Sequence, residues 1–178
     1  MKKVMFALVA VLMAVSAQAA AMAWSTSTAC YMKDGTSLFN GTMYLIDAAT
    51  ISQSDLITAL KDGGSISDYA ITSAAATSGK IAATTLDPIT SVSGTKYAGD
   101  TSVSFYTVAI SGDDVFASAS KTVTLSDVGT TKLGFSLSTA SKAADAWQST
   151  GGGDVPEPTS GLLLLIGGAM LALRRKQK

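Results

Sequence analysis

A mainly β fold, a single β-sandwich-like domain with one short α-helix, is what this sequence predicts, flanked by an N-terminal signal helix and a C-terminal transmembrane or sorting helix. Three observations carry that prediction. The middle of the chain is dominated by Ser, Thr, Ala and Gly and is poor in long charged side chains, and its Thr and Val suit a pleated, half-buried surface. Its later segments alternate apolar and polar residues with a period of two. Clusters of Gly, Asn, Asp and Ser separate the segments at short intervals, as the turns of a sandwich require.

The chain opens with a secretory pattern. Met1, Lys2 and Lys3 supply a positive start, residues 4–15 an apolar stretch, and Ala17-Gln18-Ala19 a small-x-small cleavage site. This predicts a signal peptide over 1–19, cut after Ala19, with Ala21-Met22-Ala23 giving an alternative end at 23. The implied partner is Sec-type export machinery. Cys30 lies too far beyond the apolar stretch, and lacks the preceding Leu-x-x context, for a lipoprotein signal.

An exported domain over 24–146 follows, long enough for one core and too short for two. Segments 31–39 and 42–47 flank Asn40-Gly41, the dipeptide best suited to a type I′ hairpin. Ser52-Gln53-Ser54-Asp55 is a capping-box variant, followed by Leu56, Ile57 and Leu60 at helical spacing and stopped by Gly63-Gly64, which predicts a helix over Gln53–Lys61. Segments 69–76 and 81–86 surround Thr77-Ser78-Gly79, with the alanine run leaving a helix open as the alternative. Segment 102–111 is apolar on both faces, as a central strand would be. Gly112-Asp113-Asp114 turns the chain into 115–119, and alternating strands follow at 121–125 and 132–137. No internal repeat emerges. Residues 147–154, ending in Gly151-Gly152-Gly153-Asp154, read as a flexible linker.

The last two dozen residues are an address. Val155-Pro156-Glu157-Pro158-Thr159 leads into an uncharged apolar run and ends in Arg174-Arg175-Lys176-Gln177-Lys178. A helix over 160–173 is roughly 20 Å long at 1.5 Å per residue. The hydrocarbon core of a bilayer is about 30 Å thick, but Thr159 and Ser160 can extend the helix at one end and Arg174 and Arg175 can snorkel to the headgroups at the other, which makes the segment a marginal span or temporary anchor with Arg174, Arg175 and Lys176 as its basic stop. The positive-inside rule keeps those cations cytoplasmic and the domain outside. Pro156 and Pro158 hold the motif extended, and Glu157 is the one glutamate in the chain. Segment 155–178 resembles the PEP-CTERM sorting signal of exopolysaccharide-producing bacteria, with Pro156, Glu157 and Pro158 as its motif residues. The resemblance implies recognition and cutting by an exosortase, a membrane cysteine protease. It also implies association with the envelope or extracellular polysaccharide.

The middle region offers little for catalysis. Total charge is balanced, but between Trp24 and Asp154 seven lysines face twelve aspartates, which disfavours nucleic-acid binding. Absence of histidine removes the usual general base, the nucleophile-histidine pairs and imidazole metal ligation. A carboxylate-only glycosidase needs two facing acids, and the aspartates lie mostly at turns. Asp113-Asp114 reads as a solvated turn or as oxygen ligands for calcium. Cys30 reads as a small buried apolar residue or an intermolecular crosslink. Trp24, Tyr31, Tyr44, Tyr97, Tyr106 and Trp147 read as core or as a sugar-stacking platform. Thr122-Val123-Thr124 is too small an array for ice. The expectation is a non-enzymatic surface or matrix protein, structural or adhesive, without cofactor or metal; a carbohydrate-binding module is the alternative.

Overall fold

The computed structural model describes residues 19–151, apart from Ser138. The elements run β1 (Ala21–Thr26), β2 (Gly41–Asp47), α1 (Gln53–Lys61), β3 (Ala70–Ala76), β4 (Thr84–Leu86), β5 (Ser102–Ser111), β6 (Asp114–Ala117), β7 (Lys121–Thr124), β8 (Thr130–Phe135) and β9 (Trp147–Ser149). A single helical turn at Ala143–Ala146 precedes β9. The fold is therefore mainly β. The strands make two sheets, a small one in the order β4-β1-β8 and a large one in the order β3-β2-β5-β6-β9, with β7 also paired to β5.

Strand β5 organises the large sheet. Its first half pairs antiparallel with β7 and its second half with β6, so those two short strands lie end to end along one flank. Strand β2 holds the other flank, with Leu45 opposite Thr107. Alternation then sends Val103, Phe105 and Ala109 to one face and Tyr106, Val108 and Ile110 to the other. The first face meets Met22 and Trp24 of β1 and Leu133 and Phe135 of β8 across the gap between the sheets. The second is covered by Leu56 and Ile57 of α1. Fully burying one such side chain contributes about 1.5–3 kcal/mol, so covering both faces of β5 supplies much of the driving force.

The helix forms where its spacing predicts. Ser52 Oγ accepts the Asp55 amide at 3.2 Å, satisfying one of the orphan N–H groups of the first turn. Asp55 in the first turn and Lys61 in the last both interact favourably with the helix dipole. Gly63, at φ +86°, follows the helix and takes the chain away.

Three expectations are corrected. Asn40-Gly41 is no hairpin turn: Gly41 opens β2, which pairs with β3 and β5, while Tyr31 bridges to Leu38 within its own loop. The left-handed pair is instead Ser78-Gly79, at φ +52° and +73°, closed by Thr77 and Lys80 exchanging backbone bonds of 2.8 and 3.1 Å. Asn40 Oδ1 accepts the Ser78 amide at 2.8 Å and so serves that turn from outside. Second, the domain begins before residue 24, because β1 is the central strand of the small sheet. Third, the presumed linker starts too early. Trp147 is 3 % exposed, donates to the Tyr31 carbonyl at 2.7 Å and lies 5.9 Å from both Phe39 and Phe116. The alanine run resolves as strand β3, the edge of the large sheet.

The Ser78-Gly79 turn carries the chain from the large sheet to the small one, and it docks against two earlier segments. Cys30 N–H donates to the Gly79 carbonyl and Gly79 N–H to the Phe39 carbonyl, each at 2.8 Å. A Cβ on Gly79 would meet the Cys30 backbone oxygen at 2.6 Å. Gly79→Ala therefore combines a left-handed conformation with a backbone clash, and is expected to cost at least about 2 kcal/mol. Urea unfolding checks this, with Gly94→Ala as control: that glycine also has positive φ but open space around it, and its loss should be smaller.

Candidate functional site

The residues predicted to carry sorting, Pro156, Glu157, Pro158, Arg174, Arg175 and Lys176, lie outside the described residues, as does Ala17. Ala19 is the first described residue and bridges antiparallel to Ala98. Ala20 is fully buried; its N–H donates to the Tyr97 carbonyl at 3.0 Å and its carbonyl accepts the Ile89 amide at 2.9 Å. Among the described residues, those on both sides of the predicted cleavage point, Ala19 and Ala20, are paired through their backbones. No helix among the described residues is long and apolar enough to cross a membrane.

Within the domain, the one buried carboxylate among the described residues is Asp47, at 6 % exposure. Its Oδ1 accepts the Ala49 amide at 2.8 Å, and its Oδ2 accepts the Tyr97 hydroxyl at 2.5 Å. Its carbonyl also receives Thr50 N–H at 3.0 Å. These bonds close the turn that leads from β2 toward α1. Burial, with the hydrogen bond to Asp47 and its charge, pushes the Tyr97 phenol well above its ordinary range. Burial likewise raises Tyr106, helped by the charges of Asp47 and Asp55, and its hydroxyl donates to the Ile51 carbonyl at 3.0 Å. The cluster binds a loop to a sheet, with both phenols held neutral.

An open cleft of about 420 Å³ lies beside the start of α1, lined by Ser52, Gln53, Ser54 and Ile57 of the helix region together with Ala48, Ala117, Ser120 and Gln148. Its chemistry is hydroxyl and amide hydrogen bonding around a small apolar floor. It holds no charged or aromatic lining residue and no nucleophile beside a base.

The other sequence candidates resolve individually. Trp24 and Tyr106 are fully buried, Trp147 nearly so, and Tyr31, Tyr44 and Tyr97 are half-buried. All but Tyr31, which bridges to Leu38 in its loop, belong to or pack against the two cores, so they do not line up as an exposed stacking platform. Trp24 Nε1 has no hydrogen-bond partner among the described residues, and a buried donor left unmet costs roughly 1–3 kcal/mol. Asp114 pairs with Lys33 at 2.9 Å, while the Asp113 carbonyl accepts the Thr150 hydroxyl at 2.8 Å. No group of three or more potential metal-binding acids, cysteines or histidines converges among the described residues. Cys30 is buried and free, and desolvation pushes its thiol up to about 12, leaving it a poor nucleophile. Thr122 and Thr124 pair their hydroxyls with Ser104 and Ser102 at 2.6 and 3.1 Å.

The Asp47–Tyr97 bond was not readable from sequence, because 50 positions separate the two residues and neither sits in a motif. No family model matches the chain, no curated protein matches it, and no solved structure matches its fold.

Removing one partner of a buried hydrogen bond leaves the other desolvated and unmet. Tyr97→Phe should therefore lower unfolding free energy by about 1–3 kcal/mol near neutral pH, with the native fold retained. Urea denaturation followed by tryptophan fluorescence measures it; an unchanged midpoint would mean that water replaces the hydroxyl at Asp47.

Proposed function

We propose that this chain is an exported cell-surface or extracellular-matrix protein, a β-sandwich-like scaffold sorted by a PEP-CTERM tail, with a structural or adhesive role in an exopolysaccharide-rich envelope. The observation that carries the reading is the order of the C-terminal signals: Pro156-Glu157-Pro158, an uncharged apolar run, then Arg174, Arg175 and Lys176. Exosortase acts on the tail in this reading, and the Sec-type machinery delivers the chain to it.

The first described strand supports the same reading and favours the earlier of the two signal cleavage sites. A cut after Ala23 would remove Ala20 and Met22, both fully buried, and half of β1. A cut after Ala19 leaves that strand whole. The preferred mature N-terminus is accordingly Ala20. At the other end β9 closes at Ser149, just ahead of Gly151-Gly152-Gly153, so a processing enzyme can act on the tail without dismantling the sheet.

Function then resides in the surface of the scaffold, which is rich in small hydroxylated side chains with aspartates and lysines among them. Large exposed apolar side chains among the described residues are Val92 and Val128. Such a surface favours many weak hydrogen bonds to polysaccharide over one deep saccharide pocket.

The test compares the full chain with a variant carrying Pro156→Ala, Glu157→Ala and Pro158→Ala in an exosortase-positive host. The parent should lose its C-terminal segment, by intact mass, and reach the surface. The variant should keep the segment and stay in the membrane fraction. Identical mass and location for both chains would overturn the reading.

A further inference from the structure

Two features of the large sheet meet on the face that α1 covers. Along β5 and β7, alternation sends Val103, Phe105 and Val123 toward the small sheet and Ser102, Ser104, Thr122 and Thr124 the opposite way. There Thr122 and Thr124 stand opposite Ser104 and Ser102 in register, and their hydroxyls pair at 2.6 and 3.1 Å. Each pairing uses one of two hydroxyl hydrogens, so each pair still offers a donor and further lone pairs to an outside partner. The second feature is the cleft of about 420 Å³ beside α1, which has the volume of a small-ligand site but a lining of hydroxyls and amides. Ladder and cleft join at two points. Ala48, on the cleft wall, donates its N–H to the Ser104 carbonyl at 2.8 Å. Ser120, also on the wall, stands two positions before Thr122. Ser120 and Gln148 bring exposed hydroxyl and amide groups to the junction.

We propose that the hydroxyl ladder and the cleft form one continuous track for an uncharged polysaccharide strand. The proposal rests on the envelope reading above for where such a polymer is met, and adds to it the docking face and the class of sugar. A sugar ring carries hydroxyls that both donate and accept, matching side chains that do the same, and its C–H faces suit the small apolar floor of Ala48, Ile57 and Ala117. Length favours a polymer over a single sugar: Thr124 to Ser120 spans about 14 Å of extended chain at about 3.4 Å per residue, before the cleft is added. With no aromatic ring in the cleft to stack on, each hydrogen bond contributes little, and affinity accumulates over several sugar units held on one strand. Charge selects against an acidic polymer. No cation lines the cleft, and Lys121 turns its ammonium to the Gly134 carbonyl of β8 at 2.9 Å. At the cleft, the Asp55 carboxylate accepts the Ser52 hydroxyl at 2.6 Å. A uronate or sulfate group would meet that carboxylate with no cation to balance it.

The test is affinity electrophoresis of the full chain, kept in a neutral detergent, through native gels containing dextran, hydroxyethylcellulose or galactomannan, with polygalacturonate as the acidic polymer. The parent should be retarded in at least one neutral gel and not by polygalacturonate. Two variants divide the track. Thr122→Val with Thr124→Val strips the hydroxyls of β7 while keeping strand-forming side chains, and Ser120→Ala with Gln148→Ala strips the cleft wall. Each should weaken the retardation several-fold with the urea midpoint unchanged, and should one variant unfold, the other decides. Absence of retardation in every neutral gel, equal retardation by polygalacturonate, or a folded variant of either kind retarded as strongly as the parent would overturn the proposal. Binding in these gels needs no exosortase, so loss of binding and loss of sorting are separate outcomes.

Discussion

Everything in this domain depends on the fact that β5 is apolar on both faces. A strand of that kind must be covered twice, and the chain does so with two different devices. The small sheet lies against Phe105 and its neighbours, and α1 lies against Tyr106 and Val108. The flanks are occupied as well, by β2 on one side and by β6 and β7 placed end to end on the other. A polar residue at Phe105 or Val108 would face a core in either direction.

The second layer of organisation is long-range. Strand β1, from the start of the described chain, runs parallel to β8 over six residues, with Trp24 beside Leu133. Trp147 then seals the opposite end of the same core against Phe39 and Phe116. Between them the Ser78-Gly79 turn moves the chain from one sheet to the other while receiving Cys30 N–H and donating to the Phe39 carbonyl. The early loops are thus held by later segments. That dependence makes contacts between the ends as important as any local hairpin.

What could be read from the sequence follows the range of the interactions. Helix α1 was legible to its ends because its cap, its apolar stripe and its glycine stop are local. Strand β5 was legible because both its faces are apolar, whatever covers them. The Asn40-Gly41 reading failed because hairpin propensity is a local bias, and pairing of β2 with β3 and β5 overrode it; the left-handed turn moved to Ser78-Gly79, where two backbones need a residue without Cβ. Strand β1 was hidden by its alanines, which read as signal-peptide residues although Met22 and Trp24 alternate inward. Of the candidate site, the sorting residues rest on sequence, whereas the Asp47–Tyr97 bond required the fold.

The account stands on β1 being an integral strand, because that sets how the small sheet is held and which cleavage site the proposed export would require. Hydrogen exchange on the mature protein tests this directly, since amides of a core strand open only with the global unfolding free energy. Amides of Met22 to Thr26 that engage the small sheet should exchange as slowly as those at the centre of β5, and both sets should speed up together in low urea. Rapid exchange through β1 beside a protected β5 would contradict the account, for it would mean that the large sheet folds without its partner and that the first strand is an appendage.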